Sequence, residues 1–514
     1  MSLISRISPT WALRREEARQ RLDMLARMQG YGDHGASTTK KALKGFSPRS
    51  GSPDEDIVLN LDTLRARSRS LYMGMPLANG ALKTIRTNVV GSGLILNSQI
   101  DSAFLGLTGE QAQEWEEKTE REFALWANTK SCDASRRFTF GQLQRLASMS
   151  AMMNGDCISL LPIKPRRGEV YDLRIQLIEA DRVADPMLVA TSEKDVYGGV
   201  ELGPDGEVVA YYIANMHPRS LFRTRKGTLQ FERVLAYGQR TGRPNVLHLM
   251  DDLERIGQRR GVPRLAPVIE IVKQLGTYTN AEVMAAVVSG VFVAAITQEL
   301  PAIPEGTFAD DERVDRDPQV TEMGPGQILT LAPGDDIKSI VQNRPNVAFD
   351  AFVQAVASQI GASLGIGKEL VMKAFNASYS ASRAALLEAW KGFHAQRDDL
   401  ALSFCQPIYE EWLTEAVIKG RIQAPGFFAD PAIRAAWCGA EWCGPTQGQL
   451  NPVQEVTAAK IRVEEEFSTR ERETAELTGQ NWDRVHRTRV REEERRRQDS
   501  TTSNASQPAQ ATQA

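Results

Sequence analysis

The stretch Gly361 to Lys368 (GASLGIGK) comes nearest to a chemical motif, the glycine-rich loop whose backbone amides cradle phosphate. Its glycines stand one residue too far apart, and Glu369 occupies the position where a serine or threonine would bind magnesium, so it is no nucleotide loop. The histidines His34, His217, His248, His394 and His486 are scattered, with no H-E-x-x-H and no other ligand spacing. Cys438 and Cys443 lie close together, but without a second pair or a nearby histidine they read as small buried residues. Carboxylates are plentiful, which leaves an acid–base pair open, yet no pattern points positively to catalysis, a cofactor or a metal.

What remains is charge and its placement. The 514 residues carry a formal charge of −3, which gives no global attraction to nucleic acid or an anionic membrane. Hydrophobic content of 42% and charged content of 25% are those of an ordinary soluble chain, and the length implies about three or four folding units. Cys132, Cys157, Cys405, Cys438 and Cys443 form an odd, scattered set that argues for reduced thiols in a cytoplasm-like compartment. The first residues have no apolar core of signal-peptide length. Basic residues gather at Arg14 to Lys44 in a Gly/Ser/Pro-rich arm, at Arg219 to Lys226, and at Arg255, Arg259 and Arg260, among other places. Each of these is a nucleic-acid or partner contact, or a solvated surface.

Stepping from charges to elements, Leu61 to Asn88 reads as a helix pair broken at Gly74–Pro76, followed by helices over Glu110–Trp126 and Phe140–Met153. Cys157–Ile163 and Leu173–Ile178 read as strands, the latter from its alternating apolar and polar residues. Residues 181–260 are β-rich, with strands at Val208–Ile213 and Val246–Leu249 and a hairpin turn at Gly203-Pro204-Asp205-Gly206. Further strands are expected at Gln327–Leu331 and Asp336–Val341, and helices at Val347–Leu364, Ser380–Phe393, Ile408–Lys419, Thr457–Glu476 and Trp482–Arg497. Residues 421–450 read as irregular, and the tail after 497 as disordered.

The chain is organised around Gly261 to Ala294, expected to form a long helix from about Pro267. Leu265, Val268, Val272, Gly276, Thr279, Val283, Val287, Gly290 and Ala294 make a narrow stripe of small and β-branched residues. Residues 270–282 are partly polar and 283–296 almost wholly apolar, so the first half is expected in water or a polar interface and the second in a core. An apolar run this short does not cross a membrane, which takes about 20 residues.

The order of LRARSRSLYMGMPLANGALKTIRTNVVGSG, CDASRRFTFGQLQRLASMSAMMNGD, LRIQLIEADRV, RRGVPRLAPVI, FNASYSASRAALLEAW and WCGPTQGQLNPVQEVTAAKIRVE resembles the portal proteins of lambda-like tailed bacteriophages, over about residues 55–495. The resemblance implies an α+β, multidomain portal fold of wing, stem, clip and crown, with no enzymatic activity and no cofactor. It implies an arm at 1–54, a wing at 55–180 with further strands at 297–341, a clip at 181–260 and a stem helix at 261–296. The tunnel loop and helix would span 342–364, the upper wing and crown 365–455, and charged C-terminal helices 456–497, before a tail at 498–514.

The same resemblance implies a homo-oligomer, a dodecameric ring at one vertex of the virion capsid, assembled in the bacterial host cytoplasm. Double-stranded DNA would pass through its channel. The partners implied are the terminase large subunit, the major capsid and scaffold proteins, and a head-completion or tail adaptor protein, with no membrane. Gln342, Asn343, Arg344 and Asn346 would form the tunnel loop, Glu270, Lys273, Gln274 and Thr277 the stem's channel wall, and Arg219, Arg223 and Arg225 the terminase-docking face of the clip. The alternatives are another ring-forming virion adaptor or capsid protein, or a DNA-packaging enzyme, for which the nucleotide loop is missing.

Overall fold

The computed structural model describes residues 9–26, 36–37, 40–186, 194–220, 228–251, 253–291, 295–298, 335–338, 349–375, 378–448 and 451–505. The chain divides into two units, Met1–Asp56 and Ile57–Ala514. In the first, helix α1 (Pro9–Ala26) presents residues 14–22 to solvent. A reciprocal box closes its far end, where Ser52 N donates to Glu55 Oε2 (2.8 Å) and Glu55 N to Ser52 Oγ (3.2 Å).

The second unit opens with helices α2 (Leu59–Gly74) and α3 (Pro76–Val89), separated because Met75 is extended and Pro76 supplies the first residue of the new helix. Ala78, Ala81, Leu82, Ile85 and Val89 put the apolar face of α3 into the main core. Strand β1 (Ile95–Ser98) follows, then α4 (Gly109–Ala127) and α5 (Phe140–Asn154), each started by a threonine–glutamine capping box, Thr108 with Gln111 and Thr139 with Gln142. Phe123 of α4 sits at the centre of an aromatic cluster. Its ring lies 5.0 Å from Trp412, 5.7 Å from Phe140 and from Tyr409, and 6.1 Å from Trp442, mostly edge-on.

Strands β2 (Asp156–Leu160) and β3 (Gln176–Ile178) belong to a sheet of order β3-β2-β8, where β8 is Val246–Met250. Only three residues of the expected strand Leu173–Ile178 join β3, and Leu173 and Ile175 make isolated bridges instead. Between β3 and β8 lies a separate antiparallel sheet of order β4-β5-β6-β7, made of Asp195–Tyr197, Val200–Leu202, Val208–Ala214 and Phe231–Leu235. The Gly203–Gly206 turn joins β5 to β6, with Gly203 N donating to Glu207 O at 2.8 Å. A second, smaller core of Ile158, Ile178, Val183, Val200, Tyr211, Ile213, Ala236 and Val246 bonds the two sheets.

After a 3₁₀ turn at Ala266–Val268, helix α6 runs from Ile269 to Val291. Strands β9 (Ala295–Gln298) and β10 (Asp335–Lys338) pair antiparallel, and the expected strand at Gln327–Leu331 lies outside the described residues. Helices α7 (Phe349–Leu364), α8 (Tyr379–Leu400) and α9 (Gln406–Ile418) complete the helical side of the core. Residues 421–450, expected to be irregular, hold helix α10 (Pro431–Trp437) and strand β11 (Ala440–Cys443), which pairs with β1. These elements are short and their strand partner lies far back in sequence, so no local periodicity announces them. The expected helix Thr457–Glu476 is two helices, α11 (Pro452–Glu464) and α12 (Arg470–Thr478), the second capped by Thr469 accepting from Arg472 N. Helix α13 (Trp482–Ala505) ends the described chain.

Candidate functional site

The segment between β8 and α6 folds on three arginines. Arg259 makes a bidentate pair with Asp195 at 2.8 Å and lies over the Tyr197 ring. Arg260 reaches Asp156 (Nε to Oδ2, 2.6 Å), and Arg264 holds Asp251 through both carboxylate oxygens at 2.7 and 2.8 Å. Of the basic residues that read as a partner patch, Arg259 and Arg260 are therefore turned inward while Arg255 is exposed, and Arg264 joins the inward pair. A surface reading of the sequence misses this, because Asp195 and Asp156, the partners of Arg259 and Arg260, lie 64 and 104 residues away.

Asp156 is the node. It is fully buried at the start of β2 and also accepts from Arg65 of α2 at 3.0 Å, with His248 Nε2 at 3.4 Å. Burial alone would push its carboxyl up, but Arg260 and Arg65 hold it well below the usual range. Burial also lowers Arg65 to about 10 against the pull of Asp156. The remaining guanidinium protons go to backbone carbonyls: Arg65 to Asn154 (2.9 Å) and Ala180, Arg260 to Val183 (2.7 Å) and Ala180 (2.8 Å). With its lone pairs so occupied and no solvent path, the node ties the two sheets to α2 and the root of α6. It offers no opening for a substrate.

The backbones of β2 and the α6 root meet at two glycines. A Cβ on Gly261 would stand 1.8 Å from Gly155 O, and Gly155, at φ +93°, would meet Gly261 O at 2.2 Å. Contact this close lets Asp251 N donate to Gly155 O and Arg264 N to Met152 O, at 2.8 and 2.9 Å.

Helix α6 reverses the expected arrangement of its halves. Val268, Val272 and Leu275 are buried, Gly276 lies against Met75, and Tyr278 packs on Phe349 and Phe352 of α7. The partly polar half is thus the anchored one. Glu270, Lys273, Gln274 and Thr277 are exposed on its outer face, where Gln274 Nε2 donates to Glu270 Oε1 at 3.0 Å. In the apolar half, expected in a core, Val283, Met284 and Val287 are 57%, 62% and 55% exposed. The steps from Val272 through Gly276, Thr279 and Val283 to Val287 are three and four residues, so the buried line continues past the end of its cover. Among the described residues, the helix outruns α2 and α7.

Of the other expected site residues, Arg219 is exposed and paired with Asp62 at 2.7 Å, whereas Arg223 and Arg225 lie outside the described residues. Gln342, Asn343, Arg344 and Asn346 also lie outside them. The glycine-rich stretch at 361–368 is the closing turn of α7, with Ile366 N donating to Gly361 O at 2.9 Å. Gly361–Gly365 also spells G-x-S-x-G, but Ser363 sits inside a helix rather than on a strand-to-helix elbow, so it has no nucleophile's setting. All five cysteines are buried without a disulfide, and burial pushes the Cys132, Cys157 and Cys438 thiols up to about 12.

Among the described residues, Glu179, Asp181 and His217 are the group whose types suit a metal. Arg69 already lies against both carboxylates, and His217 Nδ1 accepts from Arg219 N at 3.1 Å, so a guanidinium supplies the positive charge there.

A second acidic group, which sequence reasoning did not find, lies where the C-terminal helices dock. Glu116 and Glu120 of α4 accept from Ile100 N (2.9 Å) and Ser98 N (3.0 Å), and Glu471 of α12 accepts from Asn97 Nδ2 (3.2 Å). Burial, reinforced by Glu120, Glu471 and Asp483, raises Glu116 to about 7, and burial raises Glu120 and Asp483 as well. Arg487 of α13 answers with an ion pair to Glu117. Beside this junction, α8, α11, α12 and the 444–448 loop enclose a cleft of about 1120 Å³. Its charges are largely paired with one another, as in Arg383–Glu455 and Arg472–Glu476.

Residues 39–397 match the family model described as phage portal protein, lambda family. The portal protein of Escherichia phage N15 is 24% identical over 479 residues, 88% of each chain. Portal protein B of Escherichia phage lambda is 24% identical over 477 residues, again 88% of each. Among solved structures, a chain in the neck of a native gene transfer agent particle computed with C12 symmetry is similar at a TM-score of 0.41 and 14% identity. That match covers 80% of this chain and 93% of the other.

Proposed function

The chain belongs to the lambda family of phage portal proteins and serves as the portal protein of a virion, and on that premise we propose that it closes into a homo-oligomeric ring with α6 at the subunit contact. One observation carries the ring: the core line of α6 runs on, uncovered, through Val283 and Val287. A stripe of this kind is left bare in one subunit when a second copy completes it. Twelve copies is the number the family resemblance implies.

Duplex DNA is the passenger of this ring. Glu270, Lys273, Gln274 and Thr277 then face the channel, and Gln342, Asn343, Arg344 and Asn346 form its narrowest loop. A conduit works only if phosphates are met singly, since each one neutralised adds salt-sensitive affinity that must be broken at every step. The near-neutral net charge of −3 suits that task. The β4–β7 module around Arg219, Arg223 and Arg225 is the terminase-docking face. The capsid, scaffold and head-completion proteins meet other surfaces, and assembly takes place in the host cytoplasm. The protein acts as a structural conduit with no catalysis of its own.

Negative-stain microscopy of the purified protein tests the reading, with axially open rings as the expected image. Monomers at every salt and protein concentration, with scaffold protein present as well as absent, would sink it.

A further inference from the structure

Helix α13 is chemically unlike the rest of the chain. Between Arg484 and Arg497 it holds seven arginines and three glutamates, a net charge of +4 in a protein whose total is −3. Its root is fixed: Arg487 pairs with Glu117 of α4, and Asn481 Nδ2 donates to Asn97 Oδ1 beside β1. Arg484, between these two contacts, and Arg491 and Arg495, beyond them, are all exposed.

These three arginines fall on one line. At 100° per residue they lie within an arc of roughly 40°, spread over about 16 Å of helix. None of the three has an ion-pair partner among the described residues, whereas Arg489, on another face, is tied to Glu493 at 2.9 Å. Glu492, Glu493 and Glu494 point in three other directions at the same helical spacing, and Val485 and Val490 also lie off the line. The line thus has charge without an apolar anchor. Protein interfaces use arginine beside aromatic and apolar residues in a desolvated centre, while a sequence-neutral hold on a nucleic-acid backbone needs only guanidinium groups in reach of phosphates.

We propose that the Arg484–Arg491–Arg495 line of α13 is a contact for the sugar-phosphate backbone of double-stranded DNA, separate from the channel wall and the tunnel loop. This rests on the reading that the ring handles duplex DNA, and it adds a place where DNA is held rather than passed. Such a hold belongs at a fixed position outside the sliding path, where its salt-sensitive affinity costs nothing during translocation.

The test is fluorescence anisotropy of the full-length protein with labelled duplexes of unrelated sequence, over a range of salt concentrations. The variant is Arg484→Gln, Arg491→Gln and Arg495→Gln together, with the three Arg→Lys changes as the companion. Three lost phosphate contacts reduce the slope of log affinity against log salt by about 2.7, equally for every sequence, and the lysine variant keeps the slope. Unchanged affinity and slope in the glutamine variant would overturn the proposal. So would a packaging defect with DNA affinity intact, which would assign the line to an acidic protein instead. Ring formation, read by microscopy on wild type and variant, reports separately on the portal assembly, because each subunit carries the line whether or not the ring closes.

Discussion

At the scale of single residues, a few arginines serve the interior. Asp156 is fully buried and held by Arg260 and Arg65, so Asp156→Ala leaves two guanidinium groups without their counter-ion. Breaking a buried pair from one side costs about 3–5 kcal/mol. The expected result is a large fall in the urea midpoint or failure to accumulate soluble protein. Arg219→Ala is the control, since its partner Asp62 and Arg219 itself are both largely exposed and such a pair is worth about 0–1 kcal/mol. Equal midpoints for the two variants would refute the node's role. Gly261→Ala, which drives a methyl group into Gly155 O, should be as damaging as the loss of Asp156, by the same measurement.

At the scale of elements, helix α6 narrows a prediction that the sequence alone leaves broad. Read from composition, Val287 lies in a core, and Val287→Asp would abolish folding or assembly. In the structure Val287 is exposed within the subunit, so the variant should keep its circular dichroism and melting profile and yet fail to form rings. Normal rings from Val287→Asp would remove this stripe from the subunit contact. The stripe itself was legible, because its three- and four-residue spacing needs no tertiary information. Which half is covered was not legible, because that depends on where α2 and α7 end. The same contrast runs through the chain. The break at Gly74–Pro76 and the turn at Gly203–Gly206 are local chemistry and stand where the residues put them. Strand β11 and the Asp156 node depend on partners far away in sequence, and no window of residues reveals them.

The docking of α12 and α13 carries a pH dependence. Glu116 sits at about 7 in the docked state against 4.5 for a free glutamate. Its folded-state value is raised, so the stabilisation is full below about 4.5 and is lost as pH rises through about 7. Glu120, Glu471 and Asp483 face it with negative charge, while Arg487, paired with Glu117, acts on Glu120 and Asp483, so ionisation of Glu116 adds repulsion at the junction. Hydrogen exchange at the backbone of α12 and the first turns of α13 should therefore quicken as pH is raised through neutrality, after correction for intrinsic rates. Glu116→Gln should flatten that response. A response identical in Glu116→Gln and wild type would show that another group governs it.

At the scale of the whole second unit, the two ends of the sequence build one core. Ile95 pairs with Cys443 across β1 and β11, Trp442 closes the aromatic cluster around Phe123, and Trp115 rests on Trp437 at 4.8 Å while its Nε1 donates to Gln423 O. Arg397 adds a clasp, donating to Asn88 O, Val89 O and Pro445 O. Contacts so distant in sequence close a long loop, whose entropy cost the packing around β11 must offset. Helix α13, by contrast, touches the body near its root through Arg487 and Asn481 and is mostly exposed from Arg484 to Arg497. A chain ending at Gln480 should thus unfold cooperatively at a urea midpoint near that of the full protein, whereas one ending at Pro425, which lacks Trp437, Trp442 and β11, should be insoluble or molten. A cooperative, native-like transition from the chain ending at Pro425 would mean that the core closes without its C-terminal strand, and that the β1–β11 pairing decorates the fold rather than completes it.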